Sequence, residues 1–298
     1  MTSEQVEEPH PLGPLKSPGQ AGGLVDVFRR RYLLGLLTRK ELRVRYQGSF
    51  VGLAWSYVQP GVRFAVYYYV VGLIMVGRSE DRGLQIFCGL IMVSFFTTAL
   101  SAGTRSVVKN KSLVRKINMP REMFPVASIA VSLYHMFPMY VVLFIAAFLS
   151  GWHPDPLAFP AMVMAFVIVV LFGLGVALLL GAANVFFRDM QNVVDVVNTV
   201  IRWCVPMIYP FSIIKDRLLG THDIIYQIYL ANPLATSVVL NHRAFLTPSA
   251  DDPQKAAAME MPAHVFERGF IMIGVAILFV VIAQLVFSRL EGRFAEML

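Results

Sequence analysis

Arg63, His135, Asp195 and Arg202 are the ionisable groups placed inside long apolar stretches of this chain. Charged side chains in such settings face protein or a water-filled path, where they relay protons or meet ions and anionic substrates. Asp195 and Arg202 are seven residues apart, which puts them on one helix face about two turns from each other. Asp195 follows Asp189 by only six residues and reads as interfacial; Arg202 lies nine short of Phe211 and reads as deeper. Arg63 reads as a side chain that snorkels to the inner headgroups, if the first crossing begins at Pro60. His135 reads as a hydrogen-bonded group between helices rather than a proton relay. A second kind of chemistry belongs to the aromatics. Trp55, Tyr57 and the consecutive Tyr67, Tyr68 and Tyr69 cluster in one run. Three adjacent tyrosines point three ways around a helix, so at least one leaves the lipid face. Such rings, with Tyr209, can pack on the C–H faces of sugars.

The patterns that are missing narrow the function further. The sequence contains no G-x-x-x-x-G-K-[ST] loop, so no nucleotide phosphates are cradled by that device. It has no H-E-x-x-H, no closely spaced acid pair in a cytosolic loop and no Cys/His cluster, so no bound metal or cofactor is expected. Cys88 and Cys204 both fall in apolar runs and read as small core residues. An ion-driven carrier or a membrane glycosyltransferase should show more intramembrane acids than Asp195 alone. Transport energised by another subunit remains.

The elements that must position these groups are membrane helices. Of 298 residues, 56% are hydrophobic and 15% charged, with mean hydropathy +0.61. Soluble domains carry roughly 25% charged residues, and disorder or a disulfide scaffold is excluded. Apolar runs cover residues 50–76, 84–102, 124–149, 157–187, 193–211 and 270–287. At about 20 residues per crossing they predict an all-α membrane protein with six spans. Placing the N-terminus inside assigns 17 Lys and Arg residues to the inner side and 7 to the outer. That bias predicts that both termini are cytoplasmic.

Three other segments carry structure of their own. Residues 1–23 are polar and Pro-rich, lack the apolar stretch of a signal peptide, and read as a disordered cytoplasmic tail. Residues 24–47 mix apolar side chains with Arg39, Lys40, Arg43 and Arg45 and read as an interfacial amphipathic helix on anionic lipid or beside a cytoplasmic partner. Residues 105–122 (RSVVKNKSLVRKINMPRE) form an inner loop with six bases and one acid. Its composition alone fits either a solvated positive loop or a docking element. The outer segment 212–264 alternates short apolar pieces with turn signals at Asn232-Pro233 and is too broken to cross. It reads as surface helices or a re-entrant pair.

Residues 37–46 (LTRKELRVRY) and 49–60 (SFVGLAWSYVQP) resemble the opening of bacterial ABC-transporter permeases that export O-antigen, teichoic acid or capsule, in particular the Wzm type. Residues 110–122 (NKSLVRKINMPRE), 184–189 (NVFFRD), 206–210 (PMIYP) and Asn232-Pro-Leu234 resemble further stretches of that family, in the same order. The resemblance, over residues 25–298, implies a homodimeric twelve-span core with two copies of a separate ATPase beneath it. ATP and magnesium would then sit on the partner, and nucleic acid plays no part. Asn110, Lys111, Leu113, Val114, Arg115, Lys116, Pro120, Arg121 and Glu122 would make the coupling helix, with Arg188 and Asp189 as a second contact. The outer segment would hold paired gate helices around Asn232 and Pro233. Arg63 departs from the family's pattern, in which this position is usually apolar. The implied substrate is a polyprenyl-diphosphate-linked glycan; an Arg to Lys ratio of 19 to 7, the mark of a GC-rich genome, tilts towards a wall galactan. A drug or small-lipid exporter, or a membrane enzyme acting on polyprenyl-linked sugars, stays open as an alternative.

Overall fold

A computed structural model describes residues 22–50, 52–67, 69–70, 80–117, 119–209, 211–220, 222–246 and 261–298. The N-terminal tail up to residue 21, Tyr68, the end of the first apolar run and residues 247–260 of the outer segment lie outside the described residues. All regular structure among the described residues is helical.

The amphipathic N-terminal segment is divided. α1 (Gly23–Arg29) and α2 (Arg31–Tyr46) meet at Arg30, whose backbone leaves helical geometry. A short 3₁₀ turn leads into α3 (Trp55–Ala65), which is followed by wider π-type turns through residues 66–67 and 69–70. α4 (Glu80–Lys109) is joined through Asn110 to α5 (Lys111–Lys116). α6 (Met123–Leu149), α7 (Ala158–Phe186) and α8 (Met190–Ile201) follow. The outer segment folds as α9 (Phe211–Leu218), α10 (Asp223–Leu230) and α11 (Pro233–Phe245). α12 (Val265–Glu291) and the short α13 (Phe294–Met297) complete the chain.

Among the described residues, four helices are long and apolar enough to cross a membrane: α4 from Gly83, α6, α7 and α12. α7 is the central one, packed on α4, α6, α11 and α12. Its small residues let neighbours approach, as is common where membrane helices meet. A Cβ placed on Gly103 of α4 would lie 2.4 Å from Ala177 Cβ on α7, so the crossing tolerates no side chain there. The main core gathers Phe87, Ile91, Met92, Leu143, Ile168 and Val238, drawn from α4, α6, α7 and α11.

The first and fifth apolar runs behave differently from the other four. α8 has 12 residues, so it spans about 18 Å against a hydrocarbon thickness of about 30 Å. The chain then turns irregularly through residues 202–209 before α9. α3 contains Pro60 and has 11 residues. Both leave large apolar side chains exposed, among them Val58, Val62, Val196 and Val200. Cys88 is buried as expected of a core thiol, but Cys204 is exposed in the turn after α8.

Candidate functional site

The described structure draws the basic inner loop into a corner. α4 continues to Lys109, so the first five residues of the 105–122 segment are helix rather than loop. The chain turns at Asn110, which is only 6% exposed. Its Nδ2 donates to the Ser106 carbonyl at 3.0 Å and to Glu41 Oε1 at 3.4 Å, while Oδ1 accepts from Lys40 Nζ at 3.0 Å. Lys109 pairs with Glu41. The elbow is therefore tied to α2 by four polar side chains. Arg39, Lys40, Arg43 and Arg45 are all exposed, and of these Lys40 makes the tie to Asn110.

α5 is amphipathic in a single turn and a half. Val114 is buried against Val107, Met123 and Phe124, and Leu113 is half-buried. Lys111, Arg115 and Lys116 are exposed. Pro120 closes the segment and is buried. The next two residues turn inward. Glu122 is 0% exposed and Arg121 is 8% exposed. Glu122 Oε1 accepts from Gln284 Nε2 at 2.7 Å, and the Arg121 guanidinium lies 5.9 Å above the Phe294 ring. Glu291, also buried, is in electrostatic range of both. Arg121 and Glu122 thus belong to a buried knot joining α6 to the end of α12 and to α13, and are not presented outward with Lys111, Arg115 and Lys116. Arg188 and Asp189 are exposed beside Phe187 in the corner between α7 and α8.

The residues read as path candidates are scattered. Trp55 and Tyr57 are exposed on α3, and Tyr69 beyond it; Tyr67 packs against the main core. Tyr209 turns its hydroxyl back to donate to the Trp203 carbonyl at 2.7 Å. Arg202 is exposed in the turn after α8, and Asp195 accepts from Gln191 Nε2 at 3.2 Å. His135 is hydrogen-bonded between helices, 3.3 Å from the Tyr46 hydroxyl, which is itself 2.6 Å from Ser56 Oγ.

On the side away from the basic corner, the chain breaks between α10 and α11. Asn232 caps α11, its Oδ1 accepting from the Leu234 amide at 3.0 Å, and Pro233 takes the first helical position. α11 is buried nearly all round among α4, α7 and α12. Asn241 accepts from Tyr140 Oη at 3.1 Å and donates to the Cys88 carbonyl at 2.9 Å. Trp152 Nε1 donates to the Ala244 carbonyl at 3.1 Å, and Arg243 grips Asp155 with both terminal nitrogens. The guanidinium holds the Asp155 carboxyl below its usual range. α10 is lighter, with Ile224, Ile225 and Ile228 exposed.

Sequence reasoning missed Glu41, Gln284, Glu291 and Phe294. Gln284 and Glu291 carried a signal: they are seven apart on one face at the end of a long apolar run. Glu41 is the acid in a helix whose other charges are all basic from Arg31 onward.

Among the described residues, a bundle with four helices long and apolar enough to cross a membrane is the form of an integral membrane protein. Residues 32–239 match the ABC-2 type transporter family, and the chain belongs to it. It is similar to the O-antigen export system permease protein RfbA of Myxococcus xanthus, 27% identical over 196 residues that cover 64% of this chain and 74% of that protein. It is also similar to a protein of the same description from Klebsiella pneumoniae, 23% identical over 266 residues covering 89% of this chain and 95% of the relative.

Proposed function

We propose that this chain is the membrane half of an ATP-driven exporter that carries a polyprenyl-diphosphate-linked polysaccharide out of the cytoplasm. One observation carries the reading: Lys111, Arg115 and Lys116 stand exposed on a short helix whose other face is locked into the bundle. That is a surface built to transmit force from a subunit outside the membrane, in a chain without a phosphate-cradling loop. Arg188 and Asp189 add a second exposed contact. ATP and magnesium belong to the partner ATPase, present in two copies under a permease homodimer. The O-antigen export described for the relatives supports a glycan as cargo.

In this reading the termini and α5 face the cytoplasm of a bacterial inner membrane. The first and fifth apolar runs complete six spans per copy. Their exposed apolar side chains meet the second copy or lipid. The aromatics at Trp55, Tyr57, Tyr67 and Tyr69, with Tyr209 and Arg202, border the glycan route. α10 and α11 act as an outer gate hinged at Asn232 and Pro233. A wall galactan is the substrate suggested by the Arg bias.

The test is reconstitution in liposomes, with and without the ATPase encoded beside the gene. Export of a radiolabelled lipid-linked glycan should require both proteins and ATP, and the permease alone should hydrolyse nothing. ATP hydrolysis by the purified permease, or export of small amphiphiles in place of the glycan, would overturn the proposal.

A further inference from the structure

Arg45 and Arg63 line one cavity of about 320 Å³, bounded by the end of α2, by α3 and by the middles of α4 and α6. Neither arginine forms an ion pair among the described residues, and no carboxylate lines the cavity. A guanidinium keeps its proton inside proteins. Two of them on one wall leave a positive field that nothing in the lining offsets. Both side chains are exposed, so their guanidiniums are open to a ligand entering the cavity.

The remaining lining is arranged to donate. Ser56, the Tyr46 hydroxyl and His135 Nδ1 form a chain with gaps of 2.6 and 3.3 Å. The Tyr46 hydroxyl thus bridges Ser56 and the imidazole, whose Nε2 is buried without a partner. Trp55, 40% exposed, supplies a flat apolar wall. Two cations and a row of hydroxyls, with no acid, match a diphosphate diester carrying two negative charges.

We infer that this cavity binds the diphosphate of the lipid-linked substrate, an assignment that rests on the export reading above. Arg45 and Arg63 neutralise the two phosphates, hydroxyls of the lining donate to phosphoryl oxygens, and Trp55 stacks on the first sugar. The volume is at the small end for ligand sites, roughly 300–1,000 Å³. It therefore suits a headgroup and one sugar, while the polymer lies elsewhere. The prenyl tail stays in lipid along the exposed Val58 and Val62 of α3.

The test measures lipid binding to the full chain in phosphatidylcholine nanodiscs by native mass spectrometry. The probes are undecaprenyl diphosphate, undecaprenol and phosphatidylglycerol. The wild type should prefer the diphosphate to phosphatidylglycerol by about tenfold or more, as expected for added charge-assisted hydrogen bonds. Arg45→Gln and Arg63→Gln should each weaken diphosphate binding about tenfold and leave undecaprenol binding unchanged. Arg63→Lys, which keeps the charge, should recover part of it, and thermal melting checks that each variant is folded. Unchanged diphosphate binding in both Gln variants would sink the site and leave the export reading standing. Equal binding of phosphatidylglycerol, lost in the same variants, would make this a phospholipid site and overturn the assignment. A wild type that binds no diphosphate lipid would count against the export reading itself.

Discussion

Lys40 Nζ donates to Asn110 Oδ1 at 3.0 Å, fastening the amphipathic N-terminal helix to the elbow where α4 gives way to α5. The adjacent Lys109–Glu41 pair doubles the tie. A push on α5 is thereby felt by α2 directly, and α2 in turn packs on α6.

A double-mutant cycle should register that tie. Asn110→Ala leaves the Ser106 carbonyl and Lys40 short of a partner and should cost about 1–3 kcal/mol. Lys40→Ala is solvent-facing and should cost under about 1 kcal/mol. The double variant should cost less than the two effects added, read by thermal unfolding in detergent. Strict additivity would mean that the bond contributes nothing.

The corner should separate into two functional classes. Arg115→Glu with Lys116→Glu reverses exposed charge and should abolish most ATP-coupled export with little change in thermal stability. Arg121→Glu instead places a third acid beside Glu122 and Glu291 inside the protein. It should destabilise by about 3 kcal/mol or more, whether or not a partner is present. An Arg121→Glu protein as stable as wild type would remove the buried knot from the account.

The α4–α7 crossing predicts a steric effect. Gly103→Ala puts a methyl 2.4 Å from Ala177 Cβ and should cost about 1–3 kcal/mol. Adding Ala177→Gly should recover part of that loss. A neutral Gly103→Ala melt would show that the two helices separate more easily than their packing implies.

The Asp155–Arg243 pair predicts an acid limb. Arg243 lowers the Asp155 carboxyl below its ordinary 3.8 in the folded protein. Above pH 3.8 the unfolded carboxylate is ionised too, so the full stabilisation is present there. It is lost as pH falls through the lower folded value. Asp155→Asn should therefore be less stable than wild type near neutrality, with the gap closing in acid. A gap that widens below pH 3.8 would contradict the sign.

The membrane class was legible because it depends on composition and run length, which are properties of the chain in one dimension. Runs at residues 84–102, 124–149, 157–187 and 270–287 correspond to α4, α6, α7 and α12, since an uncharged stretch in lipid must satisfy its backbone as helix. The break between α10 and α11 was readable from Asn232 and Pro233, whose cap and first-turn preferences are local. What hydropathy could not decide was which side of a helix meets protein. Arg121 looked like Arg115 in sequence, six residues away with the same charge, yet one is buried under Phe294 and the other is exposed. Arg63 gained its polar cavity only when α2, α3, α4 and α6 came together around it. Local preference shapes each helix, whereas the fate of a charge depends on groups far off in sequence, such as Gln284 for Glu122, and only packing brings those within reach.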